Sequence, residues 1–127
     1  MQIKMRDILG FTPFYEAVRS QKLSIKTAYR LAQLAKAIDS ENQFYREKLQ
    51  AIILEYGKLD DNGQPIPTSD GQGIELRDGT ETECYAAIAE LQDIDVTLPD
   101  VQLSIDDFDN IELTTDVIGA VLPFFAD

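Results

Sequence analysis

The chain has 127 residues and a formal net charge of −12, with 44% hydrophobic residues, one cysteine and no histidine. These proportions predict one ordered, soluble domain over residues 1–127, without a signal peptide or membrane span, because no apolar run is long enough for either. One cysteine excludes an internal disulfide, and the lack of histidine removes the commonest general base and metal ligand. We therefore expect a non-enzymatic protein without catalytic residues, metal or cofactor.

The charge is divided unevenly along the chain. Residues 1–58 contain ten Lys and Arg against six Asp and Glu, whereas residues 59–127 contain one against seventeen. The net charges of the two halves are thus +4 and −16. Such halves can attract each other within or between subunits, or the acidic half can contact a basic protein surface. An acidic surface that serves only solubility is the simplest explanation of the second half.

The first residues predict two short elements. Weak apolar alternation over residues 1–11 indicates a strand that passes into a helical turn. Thr12 then predicts the N-cap, and Pro13 the first helical position, of a short helix that ends near Lys22.

Residues 24–57 predict the main element of the fold. Ser24 is the predicted N-cap and Gly57 the predicted left-handed terminator, and no glycine or proline lies between them. The polar stretch at 39–43 leaves two alternatives, a continuous helix of about 50 Å or two helices. Apolar residues recur at alternating spacings of three and four, as in a heptad seam with one polar member. This seam consists of Ala28, Leu31, Ala35, Ile38, Asn42, Tyr45, Leu49, Ile52 and Tyr56.

The seam requires a partner, because a helix of that length exceeds the body of a compact domain of this size. The partner is either the short helices predicted at 13–22 and 81–93 or the same helix of a second subunit. Ala28 and Ala35 permit close approach of two helices, and Asn42 could pair with its symmetry mate to set the register. We predict that the protein forms a homo-oligomer through the seam.

Four basic residues form a stripe at the start of the long helix. Lys22, Lys26 and Arg30 follow at i, i+4 spacing, and Arg19 lies one turn earlier. Nucleic-acid binding normally uses a broad basic face, because affinity comes from neutralising several phosphates at once. The stripe leaves a nucleic-acid-associated accessory or regulatory role as the alternative function, which the net charge of −12 disfavours.

Residues 58–80 form a turn-rich excursion whose composition is that of a calcium loop. The calcium template read from Asp60 places Pro65 at its sixth position, where glycine is required, and a glycine at its twelfth, where glutamate is required. The dipeptides at 62–63 and 70–71 are Asn-Gly and Asp-Gly, which are typical of turns. The pattern therefore predicts a poorly packed hairpin or flexible excursion without a metal.

The remaining elements are short. A helix is predicted from Thr80 or Thr82 to residue 93, and interrupted strand periodicity follows over 94–105. Thr114 predicts the cap of a last helix, whose closing phenylalanines are expected to dock within the fold. The predicted fold class is therefore α+β and mainly helical. It has one long helix or helical hairpin packed by two to three short helices, with a small hairpin or extended segments.

An ordered series of motifs covers most of the chain. The basic helix has the pattern K-L-x-x-K-x-A-Y-x-L-A-x-L-x-K, formed by Lys22, Leu23, Lys26, Ala28, Tyr29, Leu31, Ala32, Leu34 and Lys36. Tyr56-Gly57, an acidic turn at 60–63 and a helix at 114–125 follow it. This series resembles a small family of phage and prophage proteins of unknown function in Gram-positive bacteria. The resemblance implies a structural or assembly accessory role and brings no catalytic residues.

Taken together, these features predict a non-enzymatic phage or prophage accessory or assembly protein that acts through protein–protein contacts. The long amphipathic helix and the acidic C-terminal half are its expected contact surfaces. Its expected partners are further copies of itself and a phage structural or assembly protein, without a membrane, in the host cytoplasm or the virion. A carboxylate enzyme using a divalent ion is a third possibility, and it would require several acidic residues to meet, namely Asp60, Asp61, Asp106, Asp107 and Asp109.

Overall fold

The computed structural model describes residues 1 to 126 and shows a mainly helical α+β fold. In chain order its elements are β1 (Gln2–Lys4), α1 (Met5–Leu9), α2 (Phe11–Val18), α3 (Ile25–Tyr56), α4 (Glu81–Gln92), β2 (Asp95–Thr97), a 3₁₀ helix (Ile105–Phe108), α5 (Thr115–Val121) and a second 3₁₀ helix (Leu122–Phe124). The two strands form one antiparallel sheet. The predicted fold class, with one long helix, several short ones and a small extended component, is confirmed.

The chain divides into two compact units, which are described separately. The first unit comprises residues 1–42 together with the described residues from 95 onward, and the second comprises residues 43–94. α3 contributes its N-terminal part to the first unit and its C-terminal part to the second. Because this helix belongs to both units, the single-domain organisation over residues 1–127 stays a prediction.

α3 runs from Ile25 to Tyr56 without a break, so the alternative of two helices is eliminated. Ser24 caps it as predicted, since its Oγ accepts a hydrogen bond from the backbone N–H of Thr27 at 3.2 Å. The same hydroxyl donates to Thr27 Oγ1 at 2.9 Å. One of the four amides that lack an intrahelical acceptor is thereby satisfied.

The prediction that Gly57 is a left-handed terminator is wrong. The glycines with positive φ are Gly63, Gly71 and Gly79, and Gly57 is not among them. Space is the reason for a glycine at this position. The Gly57 amide donates to the Ile53 carbonyl at 2.8 Å, and a Cβ on Gly57 would lie 2.6 Å from that same oxygen.

α2 begins two residues earlier than predicted. Its N-cap is Gly10, so Thr12 and Pro13 lie within the first turn instead of at its boundary. Proline is tolerated there because the amides of the first turn have no intrahelical acceptor. The earlier start completes the buried side of the helix, which consists of Phe11, Phe14 and Val18.

An aromatic cluster forms the centre of the first unit. The Phe14 ring lies 6.0 Å from Phe11, 5.3 Å from Phe108 and 5.8 Å from Phe125, measured between centroids and in edge-to-face geometry. Phe124 lies 5.2 Å from Phe11. The closing phenylalanines therefore dock within the fold, as predicted. The other buried apolar residues of this unit are Ile3, Met5, Ile8, Val18, Leu31, Leu34, Ile38, Val96, Leu98, Leu103 and Val121.

Only the first part of the alternation over 94–105 pairs as a strand. β2 pairs with β1 so that Val96 faces Ile3. Beyond Pro99 the chain leaves the sheet, and Leu103 forms a single parallel bridge with Phe125. Because Leu98 and Leu103 are nonetheless buried, the alternation here reports burial and not sheet pairing.

The second unit packs α4 and the turn-rich excursion on the C-terminal part of α3. Tyr45, Cys84 and Leu91 are buried, and Gln92 Nε2 donates to Tyr45 Oη at 3.1 Å. Burial raises the pKa of the Cys84 thiol, in keeping with a small packed helix residue. α4 starts directly after Thr80, one of the two predicted positions.

Residues 58–81 form three arms of eight residues, each with glycine at its sixth position. These glycines, at 63, 71 and 79, have φ values of 77°, 71° and 80°. The Lys58 amide donates to the Glu75 carbonyl at 2.8 Å, the Glu75 amide to Ile66 at 2.8 Å, and the Ile66 amide to Lys58 at 3.1 Å. The excursion is thus closed at its centre by a ring of three hydrogen bonds.

Asp70 organises the turn of the second arm. Its Oδ1 accepts hydrogen bonds from the Thr68 hydroxyl and, at 3.0 Å, from the Gln72 amide. Both bonds favour the ionised carboxylate. The Thr68 hydroxyl is the largest of the causes that hold the pKa of Asp70 below its ordinary value.

We expect Thr68→Val to raise the pKa of Asp70 towards its ordinary value, measured by NMR titration of the Asp70 carboxyl carbon. Because the folded pKa is depressed, the contribution of this turn is present above the unfolded pKa. It is lost as the pH falls through the folded pKa. Ser69→Ala is the matched control and should leave the titration unchanged. Equal Asp70 titrations in the wild type and Thr68→Val would contradict this account.

Candidate interaction site

The apolar seam of α3 is largely used within the chain itself. Leu31 and Ile38 are 3% and 2% exposed in the first unit, and Tyr45 is 8% exposed in the second. The other members named for self-association are half-buried, as are Ala35, Asn42, Leu49 and Ile52, or exposed, as is Ala28. A second subunit could contact the large seam residues only if they left the core of their own chain. Self-association through the seam stays a prediction.

The four residues of the basic stripe are all exposed in the first unit. The predicted helical spacing holds only for Lys26 and Arg30, because Arg19 and Lys22 lie between α2 and α3. Arg19 is partly engaged, since its Nη1 lies 3.6 Å from Glu16 Oε1 and its guanidinium lies 5.7 Å from the centroid of the Tyr15 ring. Within residues 1 to 126, no ion pair is formed by Lys22, Lys26 or Arg30. Three cations are therefore available to a partner, a small number for neutralising a phosphate backbone.

Two large apolar side chains lie among these cations. Ile25 is 88% exposed, the highest value among large hydrophobic residues of the described part of the chain, and Tyr29 is 64% exposed. The two residues are one helical turn apart, so their side chains share one side of the helix. This surface is called the outer face and consists of Lys22, Ile25, Lys26, Tyr29 and Arg30.

The position of the outer face follows from the helical repeat. The buried side of α3 in this unit is formed by Leu31, Leu34 and Ile38. At 100° per residue, Ile25 lies about 180° and Tyr29 about 140° from Leu34, so these two apolar side chains point away from the core. Arg30 lies only about 40° from Leu34 and borders the buried side. An exposed isoleucine and tyrosine beside exposed cations have the composition of an interface centre with a charged rim.

A shallow groove lies on each side of the outer face. The first has a volume of about 500 Å³ and is lined by Tyr29, Arg30 and Gln33 on one wall and by residues 100–104 with Ala126 on the other. The second has a volume of about 520 Å³, and its lining includes Tyr15, Lys22 and Ala28. A partner can therefore contact the outer face itself and the side chains that line the two grooves.

An acidic segment, residues 105–116, starts where the first groove ends. Ser104 lines that groove together with Tyr29 and Arg30, so the segment begins at the edge of this groove in the same unit. Its carboxylates belong to Asp106, Asp107, Asp109, Glu112 and Asp116. Ile105 at its start is 44% exposed. The segment thus combines negative charge with an exposed apolar side chain.

The second unit has a separate depression of about 440 Å³. Leu54 and Leu59, each 44% exposed, line it together with Lys58, Ile66 and Arg77. The Arg77 guanidinium donates to the carbonyl of Glu55, which occupies this cation at the end of α3. Glu55 also lines the depression, which therefore combines one carboxylate and two cations with apolar side chains.

Within the described residues, no group of three or more Cys, Asp or Glu side chains is placed to hold a metal ion. None of the helices there has both the length and the apolarity needed to cross a membrane. Comparison with known proteins found no matching family model, curated protein or solved structure. The candidate site is accordingly defined by geometry and charge.

The seam pattern did not single out Ile25 and Tyr29. Ile25 directly follows the cap and precedes the first seam position, and Tyr29 lies between two seam positions. A second apolar line at i, i+4 and i+7, formed by Ile25, Tyr29 and Ala32, was the available signal. An amphipathic helix normally has one apolar line, so a second one indicates a second contact.

Proposed function

We propose that this protein is a non-enzymatic accessory or assembly protein of a phage or prophage and acts through protein–protein contacts made by the outer face of α3. The observation that carries the proposal is the 88% exposure of Ile25 beside cations that form no ion pair within residues 1 to 126. Burying a side chain of this size contributes about 1.5–3 kcal/mol. A partner therefore gains substantially by covering it.

The phage assignment is supported by a coincidence between motif and surface. Lys22, Lys26 and Tyr29 belong to the K-L-x-x-K-x-A-Y pattern that resembles the phage family. The same three residues are exposed on the outer face. Exposed lysines are expected on any amphipathic helix, but the core does not require a tyrosine that is 64% exposed, so Tyr29 favours a contact function.

The partner surface has a chemistry that follows from the outer face. The outer face combines two exposed apolar side chains, Ile25 and Tyr29, with the cations Lys22, Lys26 and Arg30. The complementary surface is acidic at its rim and apolar at its centre, because charge complementarity sets the orientation while apolar burial supplies affinity. This chemistry describes a protein surface better than a nucleic acid, whose backbone offers no apolar centre.

The test is a complementation experiment in the phage or prophage that carries the gene. Deletion of the gene should reduce the yield of infectious particles, and the wild-type protein should restore it. The double variant Ile25→Asp, Tyr29→Ala should fail to restore the yield, because losing about 3 kcal/mol weakens a contact roughly 100-fold. Both side chains are exposed, so the melting temperature of the double variant should match that of the wild type.

The matched control lies in the second unit. Leu54→Asp, Tyr85→Ala changes the same residue classes at side chains that are 44% and 64% exposed, and it should restore the yield fully. Full restoration by the outer-face variant would exclude the outer face as the site. A deletion without effect on particle yield would exclude the assembly role itself.

A further inference from the structure

We infer that the outer face binds the acidic segment, residues 105–116, of a second copy of this chain, and that the contact is reciprocal. The inference rests on the proposed function, because it names the partner of the same face. It differs from self-association through the seam, since the buried seam residues stay in the core of their own chain.

The two surfaces match in chemistry. The outer face carries three cations around exposed Ile25 and Tyr29. The acidic segment carries five carboxylates, and its first residue, Ile105, is 44% exposed. Opposite charges at the rim and apolar side chains at the centre are the complementarity that a specific contact requires.

The acidic segment also begins at the edge of a groove that the outer face lines. Ser104, which immediately precedes the acidic segment, lines one groove with Tyr29 and Arg30 of the outer face. A two-fold axis through such a pair places the basic surface of each copy on the acidic surface of the other. Both contacts form at once, so the assembly closes as a dimer and does not extend into a chain.

The charged side chains of the outer face and of the adjacent groove are not paired within one copy. Asp100 and Arg30 stand on opposite walls of the groove, and within residues 1 to 126 neither one forms an ion pair. Lys22 and Lys26 likewise form none there. The carboxylates of the acidic segment also form no ion pair within the described residues. Binding of a second copy therefore breaks no ion pair of either surface.

Salt dependence alone is a poor test, because each copy carries a net charge of −12. Added salt screens the local attraction and the overall repulsion together, and the two effects have opposite signs. Charge inversion at defined residues separates them. If a local contact governs dimer formation, the effect depends on which residues change charge. If overall repulsion governs it, the effect depends only on the change in net charge.

The experiment measures molar mass by light scattering behind a sizing column over a range of concentrations. The wild type should approach twice the chain mass of 14.2 kDa. The basic variant, Lys22→Glu, Lys26→Glu, Arg30→Glu, should remain at the monomer mass. The acidic variant, Asp106→Lys, Asp109→Lys, Glu112→Lys, should do the same. In each variant the dimer dissociation constant should rise at least 100-fold.

The acidic variant is the more informative of the two. Each of its three substitutions adds two positive charges, which brings the net charge from −12 to −6. If overall repulsion governed association, this variant would dimerise more strongly than the wild type. A specific contact predicts the opposite. An equimolar mixture of the basic and acidic variants should regain the dimer mass. In the mixed dimer, one contact joins the inverted face to the inverted segment, and the other joins an unchanged face to an unchanged segment, so both contacts are complementary.

Matched charge changes in the second unit serve as controls. Arg46→Glu, Lys48→Glu, Lys58→Glu and Glu75→Lys, Glu83→Lys, Glu90→Lys alter exposed residues by the same amounts and should leave the dimer intact. A monomeric wild type at all concentrations, a mixture that stays monomeric, or controls that also dissociate would each overturn the inference. A monomeric wild type whose outer-face variant still fails in complementation would leave the proposed function standing, with a different partner.

Discussion

Phe14→Ala is expected to lower the free energy of unfolding of the first unit by about 3–5 kcal/mol. The Phe14 side chain is fully buried, and its ring makes edge-to-face contacts with Phe11, Phe108 and Phe125. Its removal loses the transfer free energy of the ring, leaves a cavity and deletes three aromatic pairs, each worth about 0.5–1.5 kcal/mol. Because small domains have about 5–15 kcal/mol in total, this loss removes much of the stability.

Urea unfolding followed by circular dichroism measures this effect. Phe44→Ala is the matched control, since Phe44 is 39% exposed and lies in the second unit. Its expected cost is well below 1 kcal/mol, as for most surface substitutions. Similar midpoints for the two variants would contradict the assignment of Phe14 to the centre of the core.

Gly10→Ala is expected to cost about 1–3 kcal/mol, because the site is crowded and because glycine is preferred over alanine at an N-cap. A Cβ at Gly10 would lie 2.8 Å from Ala120 Cβ and 2.9 Å from the Ala120 carbonyl oxygen. The oxygen belongs to the backbone of α5, so the clash cannot be relieved by a side-chain rotation. α2 and α5 must move apart, which disturbs the contact between Phe11 and Phe124.

Gly119→Ala is a control of opposite sign in the same helix. Apart from its two chain neighbours and the backbone of its own helix, no described residue has an atom within 4 Å of a Cβ built on Gly119. The φ of Gly119 is not positive. We expect a gain of about 0.5–1 kcal/mol, because alanine loses less backbone entropy in a helix. The measurement is the melting temperature of both variants and of Gly10→Ala, Ala120→Gly, which should recover part of the loss. A Gly10→Ala protein as stable as the wild type would show that the two helices separate at no cost.

Local signals in the sequence were sufficient for most helix ends and for the class of the fold. Ser24 and Thr114 cap their helices through the predicted side-chain hydrogen bonds. The absence of glycine and proline over 25–56 predicts one uninterrupted helix, although the polar stretch at 39–43 left a second possibility. These features depend on residues within one or two turns of each other, so they can be read without the rest of the chain.

Features that depend on distant residues required the tertiary structure. β2 forms because β1 lies beside it, and the Leu98 amide donates to the carbonyl of Met1 from 97 residues away in sequence. Gly10 is crowded by Ala120, which lies near the other end of the chain. Neither fact leaves a periodic trace in the residues around it.

The candidate site is the clearest case of this division. The sequence by itself determined that α3 carries apolar residues on more than one side, together with a line of cations. Only the tertiary structure decided that Leu31, Leu34 and Ile38 would be buried and that Ile25 and Tyr29 would remain exposed. The physical reason is that burial depends on which surface the other elements cover, and those elements come from both ends of the chain.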